Sequence, residues 1–139
     1  MTTYKLGDNC ILRGDGATIP LDPANTDYAE FLAWQAAGNT PDPIDAPTFD
    51  QLIAANTAAI QSALDAQAVA KGYDSIISAC SYAAQASGEP FQAEGAAFLT
   101  WRSDVWTQAY ATLADVEAGT VPMPTPEEAV SQMPAYVAP

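Results

Sequence analysis

The sequence predicts an α+β fold that is mainly α: a small antiparallel β element with one helix, a proline-rich linker, then a bundle of three main helices with a short C-terminal helix. Three observations predict it. Strand formers alternate with glycine–aspartate turn chemistry over residues 1–20. Apolar residues recur at helical spacing over residues 48–119. Prolines cluster at 39–47 and again from 121 to 126, at both ends of that helical stretch.

In the first segment Tyr4, Leu6, Ile11, Leu12 and Ile19 are strand formers, and Gly7-Asp8-Asn9 and Gly14-Asp15-Gly16 are turns between them. Two or three short strands need a covering helix. It follows after Pro20-Leu21-Asp22-Pro23. Asn25 to Asp27 offer an N-cap, with Glu30 placed for a capping box, and Tyr28, Phe31, Leu32 and Gln35 lie at helical spacing with Trp34 beside them. Gly38-Asn39 is the stop. Residues 1–38 are thus expected to form one module, 39–47 an extended linker, 48–119 the bundle and 120–139 a proline-rich C-terminal segment.

Within the bundle, Thr48 with Gln51 predicts a capping box that opens a helix running to about Lys71, with Gly72 as its stop. Leu52, Asn56, Ala59, Ile60, Ala63, Leu64, Gln67 and Ala70 share one face. Asp74 is the expected cap of a shorter helix through Ile76, Ile77, Cys80, Ala83 and Ala84, broken by Gly88-Glu89-Pro90. A long helix from about Phe91 to Glu117 places Phe91, Phe98, Leu99, Val105, Trp106, Ala109, Tyr110, Leu113 and Val116 within roughly one third of its circumference. Thr125, Pro126 and Glu128 read as N-cap, N1 and capping-box partner of the last helix.

Composition excludes several kinds of function. The 139 residues are 49% hydrophobic, enough for one real core, and carry a net charge of −13 from 17 acidic and 4 basic side chains. Lys5, Arg13, Lys71 and Arg102 cannot supply the clustered cations of a phosphate-backbone binder, and an anionic membrane surface would repel the chain. No apolar run is long enough to span a bilayer, and the N-terminal stretch is not expected to be a secretory signal. The chain has no histidine, which removes imidazole bases and histidine-ligated metals. Cys10 and Cys80 are expected as reduced thiols, Cys80 on the core face of its helix. Asp22, Asn25 and Asp27 lack the glycine and terminal glutamate of a calcium loop. Arg13-Gly14-Asp15 reads as turn chemistry. A pair of acids acting on a glycan cannot be read from spacing alone. The expectation is a protein without cofactor, metal or catalytic residues.

The candidate partner contacts are Trp34, Tyr82, Trp101, Arg102 and Tyr136. The aromatics fall outside or at the margin of the apolar arcs, and Tyr and Trp are enriched at interface hot spots. Arg102 lies near the middle of the long helix's apolar arc, where packing of its stem and pairing with Asp74 or Glu94 is one reading and a partner or anion contact the other. The tail Met133-Pro134-Ala135-Tyr136-Val137 is apolar and extended, without an internal partner, and suits docking on another chain.

The run Ala17-Thr18-Ile19-Pro20-Leu21-Asp22-Pro23-Ala24-Asn25-Thr26-Asp27-Tyr28, with Phe31-Leu32-Ala33-Trp34 and Gly38-Asn39-Thr40-Pro41, resembles the N-terminal motif of small tail-fibre and tail-assembly proteins of tailed bacteriophages and prophages. Gly72-Tyr73-Asp74-Ser75-Ile76, Ser78-Ala79-Cys80-Ser81-Tyr82-Ala83, Phe91-Gln92-Ala93-Glu94-Gly95 and Trp101-Arg102-Ser103-Asp104-Val105-Trp106 resemble the helical part that follows it. The resemblance covers about residues 4 to 118. It implies partners among phage tail or tail-fibre proteins, or further copies of the chain, in the virion tail or in the bacterial host's cytoplasm during assembly. It implies either a structural adaptor or a fibre assembly factor, including a transient chaperone absent from the mature particle, and no cofactor. A rival reading, from charge alone, is an acidic inhibitor that mimics DNA.

Overall fold

Tyr4, Ile11 and Ile19 meet on one face of a three-stranded antiparallel sheet because strand residues alternate between faces. A computed structural model describes residues 2–139 and establishes the α+β, mainly α class. The strands are β1 (Tyr4–Leu6), β2 (Cys10–Arg13) and β3 (Thr18–Pro20), in the order β1-β2-β3. Tyr4 pairs with Arg13, and Ile11 with Leu6 on one side and Ile19 on the other. Helix α1 (Thr26–Ala36) covers the sheet with Phe31, flanked by Tyr28 and Trp34. The Tyr4 ring meets Phe31 edge-on at 5.2 Å and Trp34 at 4.9 Å. Arg13 ties helix to sheet: its guanidinium lies 2.8 Å from Asp27 and 3.7 Å from Glu30. Asn25 alone caps α1, accepting from the Tyr28 amide at 3.1 Å, and the Glu30 carboxylate is turned to Arg13 instead of back to the cap.

The chain divides into two compact units, Met1–Pro47 and Thr48–Pro139. The expected linker 39–47 therefore belongs to the first unit. Asp42 runs parallel beside β1, its amide donating to the Tyr4 carbonyl and its carbonyl accepting from the Leu6 amide, both at 2.9 Å. The edge of β1 needs partners for its backbone groups. Asp42 is the one residue between Pro41 and Pro43 that still has an N–H to give, and the prolines keep the pairing from growing into a strand.

In the second unit, α2 (Phe49–Ala70) begins with the expected capping box, Thr48 and Gln51 exchanging bonds of 2.8 and 3.3 Å. Gly72 takes the left-handed conformation (φ +93°) that ends it. Asn56, Ile60, Leu64 and Ala68, each four residues apart, form its buried stripe. Helix α3 (Ile76–Ser81) is capped by Ser75, which accepts from Ser78, rather than by Asp74. The Asp65 carboxylate of α2 takes the Ile76 amide at 2.9 Å, so α2 orders the start of α3. The short helix does not run through Ala84; a single 3-10 turn (Tyr82–Ala84) replaces its end.

Helix α4 (Gln92–Glu117) differs most from expectation. Its buried residues are Gly95, Phe98, Trp101 and Val105. Leu99 and Tyr110, expected inside, are 48% and 68% exposed, and Trp101, expected at the surface, is 8% exposed. Phe91 precedes the helix in the left-handed region (φ 69°) with its ring largely exposed. Gly95 explains the rotation. A Cβ there would lie 2.6 Å from the Ala83 nitrogen and 2.8 Å from Tyr82 atoms, so the residue facing the 3-10 turn is the one without a side chain. Phe98, Trp101 and Val105 then point between α2 and α3, meeting Ile60, Leu64, Ala68, Ile76 and Ala79.

The C-terminal segment is part of this core, not a free docking peptide. Helix α5 (Pro126–Ser131) opens with the expected Thr125–Glu128 capping box and packs on α2. The Asn56 amide donates to the Pro124 carbonyl at 3.0 Å. The Trp101 indole N–H donates to the Pro134 carbonyl at 2.7 Å, and Gln108 to the Gln132 carbonyl at 2.6 Å. Tyr136 stacks on Phe98 at 4.4 Å and meets Trp101 at 5.5 Å. Trp101 and Tyr136 are hence internal partners of each other. An indole N–H buried by the helix rotation requires an acceptor, and the tail supplies it.

Two outcomes follow. Helix propensity alone would make Gly95→Ala stabilising by up to ~1 kcal/mol. The backbone clash reverses the sign, and denaturant unfolding of G95A should show a loss of about 1–3 kcal/mol. Tyr136→Ala uncovers Trp101 and Phe98, costing about 2–3 kcal/mol and shifting tryptophan emission to the red.

Candidate docking groove

Beyond Val105, α4 and the N-terminal half of α2 leave an open groove of about 570 Å³, bounded on one side by Met123, Pro124 and α5. Its floor and walls come from Ile53, Asn56 and Ile60 of α2, from Trp106, Ala109, Leu113 and Val116 of α4, and from Ala129 and Met133. No carboxylate, lysine or cysteine lines it. The α4 contribution is centred on the stripe Arg102, Trp106, Ala109 and Leu113, which continues Gly95 at spacings of seven, four, three and four. At its start the 3-10 turn covers the stripe through Gly95. From Arg102 onward the same stripe lines the groove.

Polar atoms in these walls are unpartnered. Arg102 Nε, Trp106 Nε1 and Asn56 Oδ1 are buried without a hydrogen-bond partner. Among the described residues Arg102 is the one basic side chain of four with no carboxylate within 4 Å, as Lys5, Arg13 and Lys71 all have one. The expected pairing with Asp74 or Glu94 is not made: Glu94 instead accepts from the Tyr73 hydroxyl at 2.8 Å and lies 3.9 Å from Lys71. Burial pushes the Cys80 thiol up, with Arg102 opposing the shift, which keeps the thiol protonated rather than nucleophilic.

Of the five residues singled out from the sequence, only Arg102 lines the groove. Trp34 is half-buried against Tyr4 and Phe31 in the first unit. Tyr82 forms an aromatic corner with Tyr73 and Phe91, with ring separations of 5.6 Å to each. Trp101 and Tyr136 lie in the core. The apolar arc of the sequence assigns Trp106, Ala109, Leu113 and Val116 to buried packing, whereas they line the groove; the one sequence signal for it is the charge of Arg102 on that apolar face. The Arg-Gly-Asp tripeptide is a closed turn, with Arg13 Nε donating to both Asp15 oxygens at 3.1 Å. That bond raises the Arg13 value and holds the Asp15 carboxyl below its usual range.

The first unit has a shallower depression of about 420 Å³ beside Leu6, Cys10, Leu12 and Ile44. Its carboxylates are Asp8 and Asp45, and Asp45 is paired with Lys5 at 2.6 Å. Among the described residues there is no cluster of three metal-ligating side chains, and no helix is long and apolar enough to cross a membrane. Comparison with protein-family models, with curated proteins and with solved structures finds no match.

The Tyr73 corner gives a pH signature. Burial, then the hydrogen bond to the Glu94 carboxylate, pushes the Tyr73 phenol up to about 12; burial also raises Tyr136. A raised folded value favours the neutral phenol, so the contribution is complete below the unfolded value of ~10 and is lost as pH rises toward the folded one. Stability measured by urea titration should fall between about pH 10 and 12, and Tyr73→Phe should flatten part of that slope while keeping the ring.

Proposed function

We propose that this chain works by holding another protein, as a component of a bacteriophage tail or tail fibre or as a factor that assembles the fibre. The observation that carries the protein-binding part is the open apolar groove between α2 and α4 with its unpaired Arg102. Its volume is in the range of binding sites, and it lacks the convergent acids, bases or metal ligands that chemistry requires. The phage part rests on the resemblance of residues 4 to 118. The first unit and the bundle, each with its own core, suit a protein that touches more than one neighbour.

The test is quantitative mass spectrometry of purified virions from a phage that encodes the chain, together with particles made after deletion of its gene. Stoichiometric presence supports a structural adaptor. Absence from the particle with loss of fibres in the deletion supports a transient assembly factor. Absence from the particle with normal fibres in the deletion overturns the reading.

A further inference from the structure

We propose that the groove between α2 and α4 receives an amphipathic helix of a partner protein, oriented with a carboxylate at its C-terminal end against Arg102 and cations toward the opposite end. The inference rests on the protein-binding reading above and names the chemistry of the partner.

The groove is helix-sized. Its α4 wall runs from Arg102 to Val116, a rise of ~21 Å, or about four turns. A volume of about 570 Å³ takes the apolar side chains of one helical face. The stripe of α4 that lines it is the continuation of the stripe the 3-10 turn covers at Gly95, so a partner would extend existing packing instead of creating a new kind of surface.

Charge fixes the direction. Arg102 stands at the end nearest α3, close enough to Cys80 to act on its thiol. Its Nε is buried and unpartnered, and so is Trp106 Nε1 one turn on. The Nε–H itself is enclosed, so a partner carboxylate would meet the guanidinium at its Nη groups, which are not among the buried atoms. The chain as a whole carries −13, and among the described residues Arg102 is the basic side chain without a carboxylate partner, so it is the position that most favours an acid. At the other end the exposed side chains of Asp50, one turn before Ile53, and Glu117, next to Val116, favour cations. The partner helix's own dipole agrees, since its negative C-terminus then faces Arg102 and its positive N-terminus faces the acids.

The probe is a fluorescein-labelled synthetic peptide of about 18 residues with leucine on one face, glutamate in its last turn and lysine in its first. It is titrated into the full chain by anisotropy and compared with a peptide of identical apolar face in which glutamine replaces the glutamates of the last turn. The proposal expects at least about tenfold tighter binding of the first peptide. Arg102→Gln should abolish that preference while circular dichroism stays unchanged and the melting temperature does not fall. Ala109→Trp fills the groove and should remove binding of both peptides with Arg102 intact. Equal affinity for the two peptides, or no binding of either, overturns the proposal. So does displacement of neither peptide by Ala109→Trp, occupation by dodecanoate in place of peptide, or a self-associated dimer that Ala109→Trp converts to monomer. Failure here leaves the virion measurement unaffected, and absence from virions leaves a positive peptide result unaffected, so the two readings fail separately.

Discussion

The approach of α4 to the 3-10 turn at Gly95 is the constraint on which the second unit depends. Only a residue without a side chain fits where a Cβ would sit 2.6 Å from the Ala83 nitrogen. Once residue 95 must face the turn, the rotation of α4 is set, because successive residues advance by a fixed angle. Phe98, Trp101 and Val105 become core residues. Burial of Trp101 then demands an acceptor for its indole, and the tail supplies one at the Pro134 carbonyl. Docking of the tail brings Tyr136 onto Phe98. One missing methyl group thus links the turn, the long helix and the C-terminal segment into a single packed unit, and it turns the Arg102 stripe to the open side.

The parts of this fold that could be read in advance are those whose cause is local. The capping boxes at Thr48 and Thr125 are decided by residues three apart, and both form. Strand positions in the first unit follow from alternation and glycine–aspartate turns, and the register places Ile11 between Leu6 and Ile19. What could not be read depends on distant chain. Trp101 is buried by residues more than thirty positions later, and Asp42 pairs with a strand formed nearly forty residues earlier. Size and hydrophobicity alone give Gly95 of α4 no weight. A helix with apolar residues on nearly every side has several plausible inner faces, and the choice among them was made by a steric exclusion rather than by hydrophobicity. The candidate site was legible only at Arg102, where a charge on an apolar face marked an unresolved position.

Acidity takes on a different role once the ion pairs are located. Three of the four cations are held by carboxylates, with Arg13 bridging strand and helix. The remaining acids mostly lie at helix starts or on exposed faces, where they favour hydration and the N-terminal ends of dipoles. Such a surface disfavours anionic partners, and among the described residues Arg102 is the cation it leaves without a carboxylate. Under the docking proposal, negative charge would serve selectivity by limiting where a partner's acid can rest, without supplying the adhesive surface itself.

The polar atoms of the groove wall carry a cost in stability. Each buried donor or acceptor without a partner costs on the order of 1–3 kcal/mol relative to a satisfied one. Three of the four such atoms among the described residues, Arg102 Nε, Trp106 Nε1 and Asn56 Oδ1, belong to residues that line the groove; the fourth is the Tyr136 hydroxyl. A core selected for stability alone would replace them with aliphatic side chains, which is often neutral or favourable. Retaining them together makes the isolated chain less stable than its packing allows. The enclosed Arg102 Nε and Trp106 Nε1 are already desolvated, so the charge of Arg102 is presented to the open side through its Nη groups alone. Under the docking proposal, affinity would then depend on where a partner carries its charge as well as on how much surface it buries.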